Sequence, residues 1–202
     1  MNKPRLFVDM DGTLAEFKKI HIDVNELEDI QTAKERLQEI LRAPGYFRSL
    51  APQTNVVEAV RRLAEGGEIE VFIITCYLEH CSALYEKNEW LDKYLPVIDK
   101  EHRIFVPDGK NKSCYVPGNV NKNDFLLDDY TYNLCDWSVF GTGIKLLNGI
   151  NSTKGSWQDS ALSYDRTPEE LTNAIMEIVN HRTIIIDARP QDKFDILEEY
   201  ER

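Results

Sequence analysis

Basic charge is scarce in this 202-residue chain: 24 lysines and arginines face 35 aspartates and glutamates, a formal net charge of -11. Holding the phosphates along a nucleic-acid polymer calls for a basic face, so the balance argues against that partner. It leaves room for a small phosphorylated substrate, because one metal ion and one or two lysines can reverse the potential inside a pocket. The cysteines are Cys76, Cys81, Cys114 and Cys135, with no Cys-x-x-Cys pair and no histidine at zinc-finger spacing. That argues against structural zinc and against a disulfide scaffold, and free thiols in a reducing cytoplasm are expected. No apolar run approaches the roughly 18 residues of a membrane helix, and no charged-then-apolar segment precedes the first apolar run. The chain is therefore expected to be soluble, unprocessed and cytoplasmic, without a membrane partner. Repeats and low-complexity tracts are absent, and the length suits one α/β domain with an insertion, or two small ones.

What is present begins at Arg5-Leu-Phe-Val-Asp9-Met-Asp11-Gly12-Thr13-Leu14. A short apolar run ending in two carboxylates and a glycine reads as a buried strand that delivers charge to its tip. Ligands of open parallel α/β sheets bind beyond the carboxyl ends of the strands. Asp9 and Asp11, two residues apart, point to the same side of an extended chain, and like charges that close need a cation or a shared proton. The economical reading is a divalent-metal site with one carboxylate left for reaction. A calcium loop would need an oxygen ligand at its fifth position and glutamate at its twelfth, where this chain has Thr13 and Ile20. An ordinary turn with incidental acids is the bland alternative.

Further along, apolar residues at mixed three and four spacings from Ile22 to Leu41 predict an amphipathic helix or helix pair, ended by Ala43-Pro44-Gly45. Placed directly after the strand tip, this insertion would lie over it as a lid, unless it is an ordinary helix on the sheet. Val56, Val57, Val60, Leu63 and Ala64 mark a helix ended by Gly66-Gly67, and Ile69 to Ile74 a buried parallel strand ending at Thr75. A helical stretch from Leu78 to Leu95 has Leu84, Trp90 and Leu91 for packing. Then come a strand at 104–106, a polar loop with Lys110 and Lys112, and Phe125-Leu-Leu-Asp128-Asp129, which repeats the grammar of the first tip. Ile144 to Leu147 reads as a strand, 151–166 as a loop, and Thr167-Pro168-Glu169-Glu170 as a capped helix start. Thr183 to Asp187 reads as an edge strand. His21, His80, His102 and His181 fit no ligand pattern.

Asp9-Met-Asp11-Gly12-Thr13, Thr75, a lysine at 110 or 112, and Asp128-Asp129 together resemble the four motifs of the haloacid dehalogenase superfamily of phosphohydrolases. With Val8 to Phe17, Ala43-Pro-Gly-Tyr-Phe47, Val71 to Thr75, Glu86-Lys-Asn-Glu-Trp90 and Phe125 to Asp129, the chain looks like the 5'(3')-deoxyribonucleotidases over roughly residues 5–147. The resemblance implies a Rossmann-like parallel sheet flanked by helices, formed by 1–17 and 45–202, with a small helical cap at 18–44. It also implies a Mg²⁺ cofactor and hydrolysis of nucleoside monophosphates. By position, Asp9 would be the nucleophile, and Asp11 the proton donor and acceptor. Thr75 and Lys112 would hold phosphate, with Lys110 as the ungapped alternative to Lys112. Asp9, the Asp11 main-chain carbonyl and Asp129 would bind metal, with Asp128 as the close partner of Asp129. Phe17 and Cys76 fall where the family has a substrate-facing aromatic and a serine. The insertion is shorter than in the family's animal members, and residues after Gly149 lie outside the match. The same chemistry on another phosphometabolite, such as a sugar phosphate, is the rival within enzymes. A catalytically silent binding module is the rival outside them, and a homodimer is compatible with either.

Overall fold

Strand β1 (Arg5–Val8) runs through the middle of a six-stranded sheet of order β3-β2-β1-β4-β5-β6, every pairing parallel. The computed structural model describes residues 3–17, 30–149 and 157–188, apart from the side chains of 30–34. The other strands are β2 (Glu70–Tyr77), β3 (Arg103–Pro107), β4 (Asp124–Asp128), β5 (Thr142–Leu147) and β6 (Ala161–Ser163). The described helices are α1 (Ile30–Arg42), α2 (Thr54–Gly66), α3 (Ala83–Tyr94), α4 (Thr131–Trp137) and α5 (Pro168–His181).

Alternation along β1 sorts its side chains to the two faces of the sheet, as the pleat requires. Leu6 and Val8 join a core with Val56 and Val60 of α2, Trp90 and Leu91 of α3, and Ile175 and Ile178 of α5. Phe7 turns the other way, packing on Phe72 and Trp137 beneath α4. A parallel sheet is stable only with both faces covered, and these two cores cover them. The expected α/β sheet flanked by helices is what the chain forms.

Several details differ from the sequence reading. β2 continues past Thr75 to Tyr77, because β3 pairs with it as far as Pro107. α3 begins only at Ala83, and Leu84 lies off the buried face, which is Ala83, Glu86, Lys87, Trp90 and Leu91. The span read as a loop contains β6, three buried residues too few to display a period of two. Thr183 to Asp187 forms no strand: a single bridge joins Ile186 to Ala161. Seven-residue α4 has too short an apolar pattern to stand out, yet it buries Leu134 and Trp137. The α5 capping box is present as expected, with the Thr167 hydroxyl accepting from the Glu170 N–H and the Glu170 carboxylate accepting from the Thr167 N–H. Of the expected lid, 18–29 lies outside the described residues, and α1 is the part described.

Candidate active site

In strand order 3-2-1-4-5-6 the crossovers leave β1 in opposite directions on its two sides, so a crevice opens beyond the carboxyl ends of β1 and β4. β1 stops at Val8, opposite Ile73 of β2 and Leu127 of β4. The next residue of each neighbouring chain therefore enters this crevice, bringing Asp9 beside Asp128 and Asp129. Carboxylate oxygens of these three buried residues lie within 4.8 Å of one another.

Lys112, at the start of the 3-10 turn Lys112–Tyr115, is 2 % exposed and donates to both sides of the crevice. Its Nζ is 2.6 Å from Asp9 Oδ1 and 2.7 Å from Asp128 Oδ2. Asp128 is committed elsewhere as well, accepting from the Tyr130 N–H and the Asn133 amide. Lys110, the ungapped alternative, is exposed. Burial pushes the Asp9 carboxyl up to about 8, with Asp128, Asp129 and Asp11 adding to the push and Lys112 opposing it. Burial works against the Lys112 ammonium too, but Asp128 and Asp9 outweigh it and the proton is held more firmly than in water.

Asp129 is fixed from below. The Asn148 amide, at the end of β5, donates to Asp129 Oδ2 at 2.7 Å and to the Gly12 carbonyl at 2.8 Å, tying the first tip to the second. Lys145 of β5, wholly buried, donates to the Asp129 carbonyl and to the Thr131 hydroxyl. Asp11 faces the other way: its Oδ2 accepts from Lys87 of α3 at 2.5 Å, and its side chain is outside the three-acid group. The implied metal ligand at Asp11 is its main-chain carbonyl, which is a separate matter from the side chain. Thr75 is buried and accepts from the same lysine at 2.9 Å. Cys76 lies within electrostatic reach of Lys112, Asp9 and Lys87, and burial pushes its thiol up to about 11, so it stays a neutral thiol. Phe17 is half-buried, packed against the core and edge-on to Tyr46.

The donors suit a hard divalent cation. They are all oxygen, converge from three residues, and leave Asp9 with more negative charge around it than one lysine relieves. Mg²⁺, which keeps several waters and needs few carboxylates, fits such a set. A cavity of about 820 Å³ opens at the opposite, amino ends of the strands. Among its charged groups Arg5 is paired with Asp124 and His102 with Asp99 and Glu70, and none of the crevice acids lines it.

Lys87, Lys145, Asn133 and Asn148 were not singled out in the sequence as site residues. A signal existed for two of them. Lys87 falls on the buried face of α3, between Ala83 and Leu91 at helical spacing, and Lys145 interrupts an apolar strand. A lysine on an apolar face needs a buried partner.

This sheet order, with paired aspartates at the tips of β1 and β4 and a lysine between them, defines the class as a haloacid dehalogenase-type phosphohydrolase. A family model described as "5' nucleotidase, deoxy (Pyrimidine), cytosolic type C protein" matches residues 3–161, and the chain belongs to that family of nucleotide phosphatases. Two staphylococcal relatives carry the provisional name 5'(3')-deoxyribonucleotidase. One, from Staphylococcus aureus (strain Mu50), is 29% identical over 183 residues, covering 79% of this chain and 94% of its own. The other, from Staphylococcus epidermidis (strain RP62A), is 28% identical over 146 residues, covering 64% and 75%. The human protein named "5'(3')-deoxyribonucleotidase, cytosolic type" is 26% identical over 151 residues, covering 62% and 70%. Among the described residues no helix is long and apolar enough to cross a membrane.

Proposed function

We propose that the protein is a Mg²⁺-dependent phosphomonoesterase that removes phosphate from deoxynucleoside monophosphates through an aspartyl-phosphate on Asp9. The observation that carries this reading is the convergence of Asp9, Asp128, Asp129 and Lys112 at the switch point of the sheet. The names of the relatives point to the substrate class.

Phosphate-monoester hydrolysis is extremely slow without a catalyst, and positioning and charge neutralisation must supply most of the acceleration. Asp9 and Asp129, with the Asp11 main-chain carbonyl, would hold the cation. Bound there, Mg²⁺ would neutralise charge on the transferring phosphoryl group. A carboxylate oxygen of Asp9 attacks phosphorus, and the Asp9–phosphorus bond forms as the bond from phosphorus to the nucleoside oxygen breaks. Asp11 gives that oxygen its proton, and the nucleoside leaves as an alcohol. Water then attacks phosphorus while Asp11 takes a proton from it, releasing inorganic phosphate and restoring Asp9. Lys112 and Thr75 bind the phosphate oxygens, Cys76 lines the anion pocket, and Asp128 holds Lys112 in place.

Residues 18–44 serve as a cap over the crevice. Support comes from the far end of α1, where the Arg42 guanidinium donates to the Glu79 carbonyl in the loop after β2, on the carboxyl side of the sheet. Phe17 leads directly into this segment and is assigned to the nucleoside side of the pocket. A panel of phosphorylated compounds assayed with Mg²⁺ tests the reading. Deoxynucleoside monophosphates should be hydrolysed in preference to sugar phosphates, and Asp9→Asn should abolish phosphate release. Preference for sugar phosphates would overturn the substrate class, and unchanged turnover by Asp9→Asn would overturn the mechanism.

A further inference from the structure

Lys87 is a charged residue in the middle of a helix, yet its exposure is zero. An ammonium has three N–H donors and no acceptor, and a buried one must place all three. Lys87 does: its Nζ lies 2.5 Å from Asp11 Oδ2, 2.9 Å from Thr75 Oγ1 and 2.6 Å from the Cys76 carbonyl. The ring of Phe47 covers it, with the centroid 4.8 Å from the nitrogen. No donor is left over for a substrate. This separates Lys87 from Lys112, which faces the nucleophile itself.

The effect on Asp11 is specific. One of its oxygens is held by a short charge-assisted bond, while Oδ1 is buried and has no hydrogen-bond partner among the described residues. A carboxyl with one oxygen pinned in this way cannot rotate freely, so Lys87 fixes the orientation of the group that exchanges a proton with the reacting oxygen. The lysine also donates to Thr75 Oγ1, so that hydroxyl keeps its own hydrogen for another acceptor; its bond to the Cys76 carbonyl is a long 3.4 Å.

We propose that Lys87 is a positioning residue for the proton-transfer step: by holding Asp11 Oδ2 it fixes the orientation in which the Asp11 carboxyl meets the oxygen of the departing alcohol. This rests on the phosphatase reading above. The consequence is selective for the leaving group. An alkoxide such as a nucleoside oxygen leaves only with a proton, whereas p-nitrophenolate leaves without one. Loss of Lys87 should therefore hurt the first kind of substrate more than the second. A purely structural role, or one acting only through Thr75 and the phosphate, would depress both alike.

The test compares wild type, Lys87→Met and Lys87→Arg in Mg²⁺ on a deoxynucleoside monophosphate and on p-nitrophenyl phosphate, with melting temperatures recorded in parallel. For Lys87→Met, kcat/KM on the nucleotide, which reports the step that expels the alcohol, should fall by about 10²-fold or more, the scale of general acid catalysis, and kcat/KM on p-nitrophenyl phosphate by less than about tenfold; kcat also contains the hydrolysis of the aspartyl-phosphate that both substrates share. Lys87→Arg keeps the charge and should recover part of the nucleotide rate. It also carries the comparison if the methionine variant does not fold, because the same selectivity, in weaker form, is expected of it. Equal losses of kcat/KM on the two substrates by the folded variants, from an active wild type, overturn the assignment of Lys87 alone. A wild type that releases phosphate from neither substrate overturns the phosphatase reading, and this assignment with it.

Discussion

Gly12 and Asp129 occupy one space: a Cβ built on Gly12 would lie 2.3 Å from Asp129 Oδ2. Gly12 also has φ +81°, in the left-handed region. The glycine of the first tip is thus required twice, once for the turn and once to let the second tip approach. Gly12→Ala should cost at least about 1 kcal/mol from backbone strain alone. It should also displace Asp129 and weaken Mg²⁺-dependent turnover several-fold, read as a raised Mg²⁺ requirement in the phosphatase assay together with a lowered melting temperature.

Lys112 and Lys110 stand two residues apart and should respond oppositely to the same change. Lys112→Met would leave Asp9 and Asp128 buried without their cation, and removing one partner of a buried pair costs about 3–5 kcal/mol. Phosphate release should be lost with it. Lys110→Met removes an exposed charge and should alter stability by no more than about 0.5 kcal/mol, with activity retained. Urea unfolding and the phosphatase assay on both variants check the pair.

Glu86 of α3 is buried and accepts from the backbone N–H groups of Gly45, Phe47 and Arg48, with the Ser82 hydroxyl as a fourth donor. It therefore holds the turn after α1, where the proposed 18–44 cap would rejoin the core. In Glu86→Gln one oxygen becomes an amide that faces donors, and hydrogen bonds to a charged group are worth about 1.5–3 kcal/mol each. The variant should lose about 2 kcal/mol of stability. If the segment closes over substrate, KM for a nucleotide should rise more than kcat falls. Denaturant titration and steady-state kinetics measure the two effects separately.

Asp187 ties the segment after α5 to the sheet by accepting from Arg166 and from the Ser163 N–H. Burial pushes its carboxyl up, but Arg166 and Ser163 more than reverse this, leaving it below the usual carboxylate value. A carboxyl lowered in the folded state contributes stability above its unfolded value near 3.8, and that stability is lost as pH falls through the lower, folded value. Asp187→Asn should cost about 1 kcal/mol at pH 7, since the pair is partly solvated. The gap from wild type should close as unfolding is repeated at pH values below 3.8.

Much of the site could be read in the chain because it is built on local grammar. An apolar strand run ended by acids occurs at Asp9 and again at Asp128-Asp129, and in a parallel sheet both ends point the same way. Asp9, Asp128, Asp129 and Lys112 accordingly meet. What could not be read was which charges balance these acids from other elements. Lys87 reaches Asp11 across 76 positions of sequence, and Asn148 reaches Gly12 across 136. Asn148 is marked by no spacing around it, and Lys87 only by its place on the apolar face of α3, which calls for a buried partner without naming it. The same holds for β6, whose strand character comes from pairing with β5 rather than from its own three residues.

By itself, then, the sequence of this protein determined the elements and the chemical cast: buried parallel strands from β-branched runs, acids at their tips, and a threonine and lysine of the right type downstream. These follow from propensity and side-chain chemistry, which act at short range. The tertiary structure alone decided the assignments within that cast. Burial and partner distance separate Lys112 from Lys110, turn the Asp11 side chain away from the three-acid group and onto Lys87, and require that residue 12 have no side chain. The physical reason is that charge compensation and close packing depend on distance in space, and only the crossovers of the sheet bring those residues within it.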